Sequence, residues 1–438
     1  MSPTRWLIFL FASLLYFVGY FHRVSLTIVV AELMRDFSAS ATSIGFLSSL
    51  YFFSYAAMQI PAGLLVDSFG PRKTLASFCF LASLGTLIFS ISPSLPFAML
   101  GRTFIGLGVS VAFLCTTNLI ASWYSVKSFA SLTGVLVSIG NLGAIAASAP
   151  LAILVTSLGW RFSFAAIAIA TCTLAIAIWA QVRDKPERGS SALPQSSLSN
   201  DLPIEGKWGS MTGVWLSFRN RDFWFTAFPP FFFFGSFVSL QGLWGVPYLT
   251  QVYGVSRVDA SLLIMMMSAG FCLGAMFWGL VSDRLMISRK KIYSFCTILY
   301  TATWLLLTFL PDEEVGAHLP ALLFLLGFFF GVMPISIVMV KERFPGRIMG
   351  AATGSANVFP FIGAALYQLL MGYVLDTFGL VSVVEGVRTF SRASYRLGFL
   401  VCLASLIPAT AMALLIREPK ETRNQQNNID LMDPRIAH

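Results

Sequence analysis

Twelve long apolar stretches, separated by short polar breaks, fill almost the whole chain. They run over about residues 6–33, 41–66, 73–92, 96–122, 128–157, 161–182, 222–250, 257–282, 290–311, 319–340, 347–376 and 393–416. A helix needs roughly 20 mostly apolar residues to cross a bilayer. The pattern therefore predicts an all-α integral membrane protein with twelve transmembrane helices. One long polar interruption contains Asp184-Lys185-Pro186-Glu187-Arg188-Gly189-Ser190-Ser191, a composition that reads as a flexible linker. It divides the chain into an N-terminal six-helix bundle (residues 1–185), a cytoplasmic linker (186–217), a C-terminal six-helix bundle (218–420) and a polar cytoplasmic tail (421–438).

The breaks repeat. Gly63-Leu64-Leu65-Val66-Asp67-Ser68-Phe69-Gly70-Pro71-Arg72-Lys73 returns 216 residues later as Gly279-Leu280-Val281-Ser282-Asp283-Arg284, followed by Arg289-Lys290-Lys291. The same offset of 216 relates Gly19 to Gly235, Gly134 to Gly350 and Asn141 to Asn357. Later the offset grows, pairing Arg161 with Arg396, because the loop around residues 377–392 is longer than its counterpart. Two copies of a six-helix unit joined by a cytoplasmic linker are parallel repeats about an axis along the membrane normal.

Composition supports this picture and narrows it. The chain is 56% hydrophobic and only 11% charged, where soluble domains carry about 25% charged residues. A net charge of +9 is compatible with nucleic acid, but the basic residues sit in the breaks rather than on one amphipathic face, which argues against that partner. With a cytoplasmic N-terminus, 21 of the 29 Lys and Arg fall in inner segments and 6 in outer ones, while Arg23 and Arg102 lie within spans. That asymmetry predicts both termini to be cytoplasmic. The six cysteines lie inside apolar runs with no CxxC or metal-ligand spacing. No phosphate loop is present, so no metal, cofactor or enzymatic chemistry is expected. The first run is too long for a signal-peptide core and ends in no cleavage site.

Over residues 5–420 the chain resembles the major facilitator superfamily. That family's loop motif G-x-L-x-D-R-x-G-R-R is followed by Gly63, Leu65, Asp67, Gly70, Arg72 and Lys73, with Pro71 displacing the basic pair and Ser68 in place of Arg. Its fourth-helix motif R-x-x-x-G-x-G stands as Arg102, Gly106 and Gly108. Tyr20-Phe21-His22-Arg23 is similar to the Y-x-D-R of the bacterial organic-anion and sugar-acid symporters, and Trp123-Tyr124 to their W-F-P segment. Two departures matter: His22 replaces the family Asp, and Ser110 stands where a Glu often follows the glycines. The antiporter signature G-x-x-x-G-P is not met by Gly140 to Gly143 with Pro150 displaced. The resemblance implies a monomeric secondary transporter of a bacterial inner membrane, working by alternating access, with helices 1, 4, 7 and 10 lining its cavity.

Candidate chemistry follows from the polar residues inside the spans. Arg23 lies near the middle of the first span, where a charge is costly unless paired or hydrated. It shares a helical face with Tyr16, Tyr20 and Thr27. Its planar fork suits a carboxylate; the alternative is a structural arginine bonded to carbonyls of another helix. Arg23, Tyr20 and Gln241 are the expected substrate contacts, with Asn118, Asn141 and Asn357 as further candidates. His22, about 100° away, is a candidate proton site or a neutral histidine at a helix contact. Asp67, Arg72, Lys73, Asp283, Arg284 and Arg102 are expected to gate. Asp67 would meet the positive end of the eleventh helix near Arg347-Ile348-Met349, and Asp283 that of the fifth near Lys127-Ser128.

The expected substrate is a small anionic or zwitterionic metabolite, a carboxylate, sugar acid or amino acid, taken up across the bilayer. A hydrophobic-drug exporter or a transporter-like ligand sensor are the alternatives. No Asp or Glu lies clearly inside a span. Proton symport would then need His22, Glu32 or a protonated substrate, and exchange or uniport stay open.

Overall fold

A computed structural model describes residues 3–185, 207–284, 288–309, 312–344 and 346–417. Within them all twelve apolar runs are helical. Eleven are long and apolar enough to cross a membrane as they stand, and a bent helix raises the number to twelve.

The N-terminal half contains α1 (Pro3–Val24), a 3-10 turn (Ser25–Ile28), α2 (Val30–Phe37), α3 (Ala41–Phe69), α4 (Pro71–Ser90), α5 (Leu95–Val109), α6 (Ala112–Trp123), α7 (Val126–Ala146), α8 (Ala149–Leu158) and α9 (Trp160–Gln181). In the C-terminal half lie α10 (Lys207–Arg219), α11 (Arg221–Ala227), α12 (Pro229–Ser239), a π turn (Leu240–Trp244), α13 (Gly245–Tyr253), α14 (Arg257–Arg284), α15 (Arg289–Phe309), α16 (Asp312–Phe330), α17 (Met333–Arg343), α18 (Gly346–Phe378) and α19 (Arg392–Leu414). Of the expected linker, α10 occupies the final part; residues 186–206 and the polar tail lie outside the described residues.

Several single apolar runs are thus broken helices. The first run ends as a helix at Val24, where Ser25 turns its hydroxyl onto the His22 carbonyl (3.4 Å) and competes with the helical ladder. The seventh run contains the π turn, a form that concentrates at functional positions. Pro61 lies at the bend of 58° between Ala41–Gln59 and Pro61–Phe69.

Packing within each half relies on small residues, as expected where lipid removes most of the hydrophobic drive between helices. A Cβ on Gly85 would fall 2.8 Å from the Gly101 carbonyl oxygen, so α4 and α5 touch backbone to backbone. Gly106 faces the Tyr51 carbonyl of α3, and a Cβ on Gly108 would lie 2.6 Å from the Phe78 carbonyl of α4. The G-x-G of the fourth-span motif is therefore a packing device. Outward-facing Leu142, Phe162, Ile169 and Phe277 are exposed and give the bundle its apolar girdle.

The two bundles meet chiefly along α3 and α18 and at the end away from the chain termini. There Glu32 of α2 pairs with Arg257 of α14. Between α18 and α19 stands a two-stranded hairpin, β1 (Leu380–Val384) and β2 (Val387–Phe390). Its two-residue turn places Glu385 at φ 49° and Gly386 at φ 80°, the left-handed pair that a tight hairpin needs. The tip leans on the other bundle: a Cβ on Gly386 would lie 3.2 Å from Arg35.

Candidate functional site: a buried arginine at the repeat axis

The first and seventh spans cross where each is broken. Thr27 Oγ1 donates to the Leu243 carbonyl at 2.9 Å and accepts from the Val246 N–H at 3.2 Å. Leu243 is the repeat counterpart of Thr27, 216 residues on. A residue bonded to its own counterpart lies at the axis relating the halves. One turn away, a Cβ on Gly242 would come 2.6 Å from the Arg23 carbonyl oxygen. The π turn is thus seated on the end of α1.

Arg23 occupies the last turn of α1, the negative end of the helix dipole. Its guanidinium carbon lies 4.2 Å from the Tyr20 ring centroid and 5.2 Å from those of Tyr55 on α3 and Phe361 on α18. The residue is only 8% exposed, and Nε makes no hydrogen bond. Among the described residues no carboxylate pairs with it. Cation–π contacts contribute roughly 0.5–2 kcal/mol each, against several kcal/mol for a charge inside the membrane. The rings and the Tyr51 and Tyr55 hydroxyls hold the cation in place without supplying a counter-charge. Such an edge suits an oxyanion that accepts in the guanidinium plane.

Tyr16 donates to Tyr20 (3.2 Å), and Tyr51 to the Gly19 carbonyl (2.8 Å). Phe234 on α12 lies 5.6 Å from Phe361, and Phe237 stacks on Phe330 at 4.1 Å, so the C-terminal half adds an aromatic wall. The charge is one-sided: Ser239, the counterpart of Arg23, bonds the Tyr367 carbonyl at 3.3 Å.

The structure brings some of the expected residues together and separates others. Tyr20 and Arg23 are in contact. Gln241 is in the π turn but donates to Ser268 at 3.0 Å, inside its own half. Asn141 donates to the Val137 carbonyl at 3.0 Å and follows Gly140, which abuts the Tyr16 and Tyr20 rings. Asn118 bonds Leu114 of its own helix at 3.2 Å. Asn357 donates to Gln59 of the other half at 3.0 Å. His22 is fully buried on a different face of α1, with Nε2 3.2 Å from Thr86 Oγ1 and its ring against Phe164. Arg102 donates to the His22 carbonyl at 3.2 Å and lies 5.0 Å from the Tyr51 ring, one residue removed from the Arg23 cluster.

Of the gating candidates only Arg102 lies near this site. Arg72 bonds the Trp179 carbonyl and, through its N–H, Asp184 at 2.6 Å, tying α4 to the end of α9 within one half. Asp67 and Lys73 are exposed, and Asp67 makes no bond among the described residues. The side chains of Asp283, Arg284 and Arg347 lie outside the described residues. A depression of about 520 Å³ at the far rim is lined by Glu32, Arg35, Trp160 and Arg257, well apart from Arg23.

Sequence reasoning missed Tyr51, Tyr55, Gln59 and Phe361. A signal for three of them was present: Ser48, Tyr51, Tyr55 and Gln59 form a polar-tipped stripe on α3 like that of Tyr16, Tyr20 and Arg23 on α1. Phe361 carries no such mark.

The family model described as Major Facilitator Superfamily matches residues 12–246 and again residues 231–434. The chain belongs to the Major Facilitator Superfamily. As a member it is a multi-pass transporter of the cell membrane, and its bacterial relatives support an inner-membrane location. It is 23% identical to a probable L-galactonate transporter of Escherichia coli (strain K12), over 96% of this chain and 90% of that protein. A probable sulfoacetate transporter of Cupriavidus necator is 21% identical, covering 95% of this chain and 94% of its own. The probable galactarate/D-glucarate transporter of Bacillus subtilis (strain 168) is 22% identical, over 86% and 87%. Among solved structures, a bacterial homologue of the human lysosomal transporter Spinster, inward-facing and unoccupied, superposes with TM-score 0.73 at 16% identity, covering 95% of this chain and 97% of that one. A D-xylose-proton symporter gives 0.69 at 15% identity, over 94% and 95%. The fold is that of this superfamily's transporters, with a small-molecule substrate.

Proposed function

We propose that this transporter takes up a small organic anion, a sugar acid or related carboxylate, by alternating access, with Arg23 as its anchor. The observation that carries the reading is the buried guanidinium close to the repeat axis, with no carboxylate partner among the described residues and ringed by Tyr20 and Tyr55 from one half and Phe361 from the other. A ligand on Arg23 touches both halves, which is what lets binding favour one arrangement over the other. The relatives named above carry the names of sugar acids and of sulfoacetate, all of them carboxylates. Gln59 and Asn357, and Asn141 beside the Tyr16–Tyr20 pair, are the amides nearest to hand for the ligand's hydroxyls.

The far end is held together by Glu32–Arg257 and by the Thr27 bonds, so with cytoplasmic termini the outer face is the closed one in this conformation. Coupling is read from the buried ionisable groups. Among the described residues those inside the spans are His22, Arg23 and Arg102, with Glu32 at the rim, and no carboxylate stands beside Arg23 to carry a proton. Anion exchange or uniport fits that arrangement. The reading asks for no metal, cofactor, nucleic acid, catalytic step or second copy of the chain.

The test is uptake into proteoliposomes of labelled hexonate or hexarate against the uncharged alditol of equal length, with external pH varied. Saturable uptake of the acid alone is expected. Equal uptake of the alditol, or thermal stabilisation by neutral lipophiles alone, would overturn the reading in favour of an exporter.

A further inference from the structure

The two halves share a second hollow besides the space around Arg23. It is the depression of about 520 Å³ at the far rim, within the roughly 300–1,000 Å³ of small-molecule sites. Glu32 and Arg35 on α2, with Thr156 and Trp160 where α8 meets α9, form its N-terminal side. Ser256 and Arg257 at the start of α14 form the other.

Its walls are fixed from behind. Trp160 Nε1 donates to Asp36 at 2.9 Å, and the Arg161 guanidinium lies 4.4 Å from the Trp160 ring centroid. Ser256 Oγ donates to the Asp259 carboxylate at 2.7 Å and accepts from the Asp259 N–H at 3.1 Å, which caps α14. At the same end of the molecule Asp376, near the end of α18, accepts from the Ala41 N–H (3.1 Å) and the Thr42 N–H (2.7 Å). That contact ties α18 to the start of α3 and holds the halves together.

The chemistry facing the depression is incomplete. Glu32 is only 8% exposed. Its Oε1 pairs with Arg257, but Oε2 is buried and has no partner. Among the described residues it is the one carboxylate oxygen in that condition. A buried oxygen of this kind is costly unless a donor reaches it. Arg35 is its complement. The side chain is 54% exposed, and its bond from Nε to Asp36 at 3.4 Å leaves both terminal nitrogens without a partner among the described residues. An orphan acceptor and free guanidinium N–H groups in one hollow match a ligand that carries a hydroxyl beside a carboxylate.

We propose that this depression is a second binding site, for a hydroxy acid, and that its occupant holds the far face shut. The ligand's hydroxyl donates to Glu32 Oε2, and its carboxylate accepts from Arg35. Both halves line the site, so it is whole only while they meet at this end, and occupancy favours this conformation. With cytoplasmic termini the site faces outside, and an excess of external acid slows the carrier. The assignment rests on these local groups and not on Arg23.

The test is calorimetric titration of the full chain in nanodiscs with a hexonate, alongside uptake into proteoliposomes as the external concentration rises. Two equivalents are expected to bind. Arg23→Gln should lose one. Thr156→Trp, which fills the depression without touching the ion pair, should lose the other. Uptake should pass through a maximum and fall about tenfold once the acid reaches ten times the Kd of this site. Thr156→Trp should abolish the falling limb, and the exposed Arg35→Gln should move it to about tenfold higher concentration. The equal-length alditol lacks the carboxylate and propionate lacks the hydroxyl, so neither should bind there at comparable concentration. A single equivalent that Arg23→Gln abolishes, or a falling limb that survives Thr156→Trp, would overturn the proposal. Equal binding of propionate would reveal a bare charge contact and do the same. Two equivalents that both persist in Arg23→Gln would instead remove the anchor and leave this site standing.

Discussion

Replacing Arg23 by Gln separates a structural arginine from a ligand anchor. In the unliganded protein the change removes three ring contacts of roughly 0.5–2 kcal/mol each. It also removes a buried charge that costs several kcal/mol and a buried Nε with no partner, itself worth roughly 1–3 kcal/mol of penalty. These terms oppose each other and are of similar size, so the melting temperature of the free protein is expected to hold or rise. Binding behaves differently. Two charge-assisted hydrogen bonds to a carboxylate contribute about 1.5–3 kcal/mol each, and their loss weakens affinity by about 10²–10⁴. Arg23→Lys keeps the charge without the fork and should fall between. The assay is a thermal-shift titration with a hexonate, with uptake measured in parallel. A hundredfold excess over Kd stabilises the native protein by about 2.7 kcal/mol, and that shift should vanish in Arg23→Gln. A variant that melts early while binding the acid normally would refute the anchor and leave Arg23 a scaffold residue.

Phe361→Ala removes the only ring that the C-terminal half places on Arg23 among the described residues; affinity should drop about fivefold, by loss of a contact near 1 kcal/mol, and unchanged uptake kinetics would exclude the residue from the site. His22→Gln should leave proton flux and the pH profile of transport as they are, since the ring faces Thr86 and Phe164 rather than Arg23; altered coupling in a pH-jump assay would return the proton role to it. Gly143→Val drives a side chain into the Phe17 backbone, so α1 and α7 should separate and thermal unfolding should show a loss of more than about 2 kcal/mol. Arg257→Gln breaks the ion pair with Glu32 across the halves, and exchange around residues 30–37 should rise.

The spans were legible because a bilayer demands one thing of sequence, a long apolar run, and all twelve runs became helices with ends within a few residues. The breaks inside them were not. Ser25–Ile28 and Leu240–Trp244 are as apolar as their surroundings, and hydropathy reports contact with water rather than the route of the backbone. Arg23 announced itself as a charge in an apolar run. Tyr55 and Phe361 look like any aromatic in a membrane helix, and only the approach of α3 to α18 brings them onto the cation. The amides show the converse: Asn118 and Asn141 stand out in sequence, yet their side chains bond their own helices. Asp376 was hidden by position, since an acid at the edge of a run reads as the start of a loop. A single helix wheel also could not tell the inside of a bundle from the gap between bundles, which is the difference between His22 and its neighbour Arg23.

The hairpin of β1 and β2 is the feature of the far face that a second protein could grasp. Ser382, Val383, Val384 and Glu385 are exposed, while the adjacent Gly386 rests against Arg35 of the opposite bundle. An antibody fragment raised to this turn would read a composite surface, part hairpin and part α2, that exists only while the bundles are together there. Selected on the composite it would report the conformation; selected on the bare turn it would wedge it open.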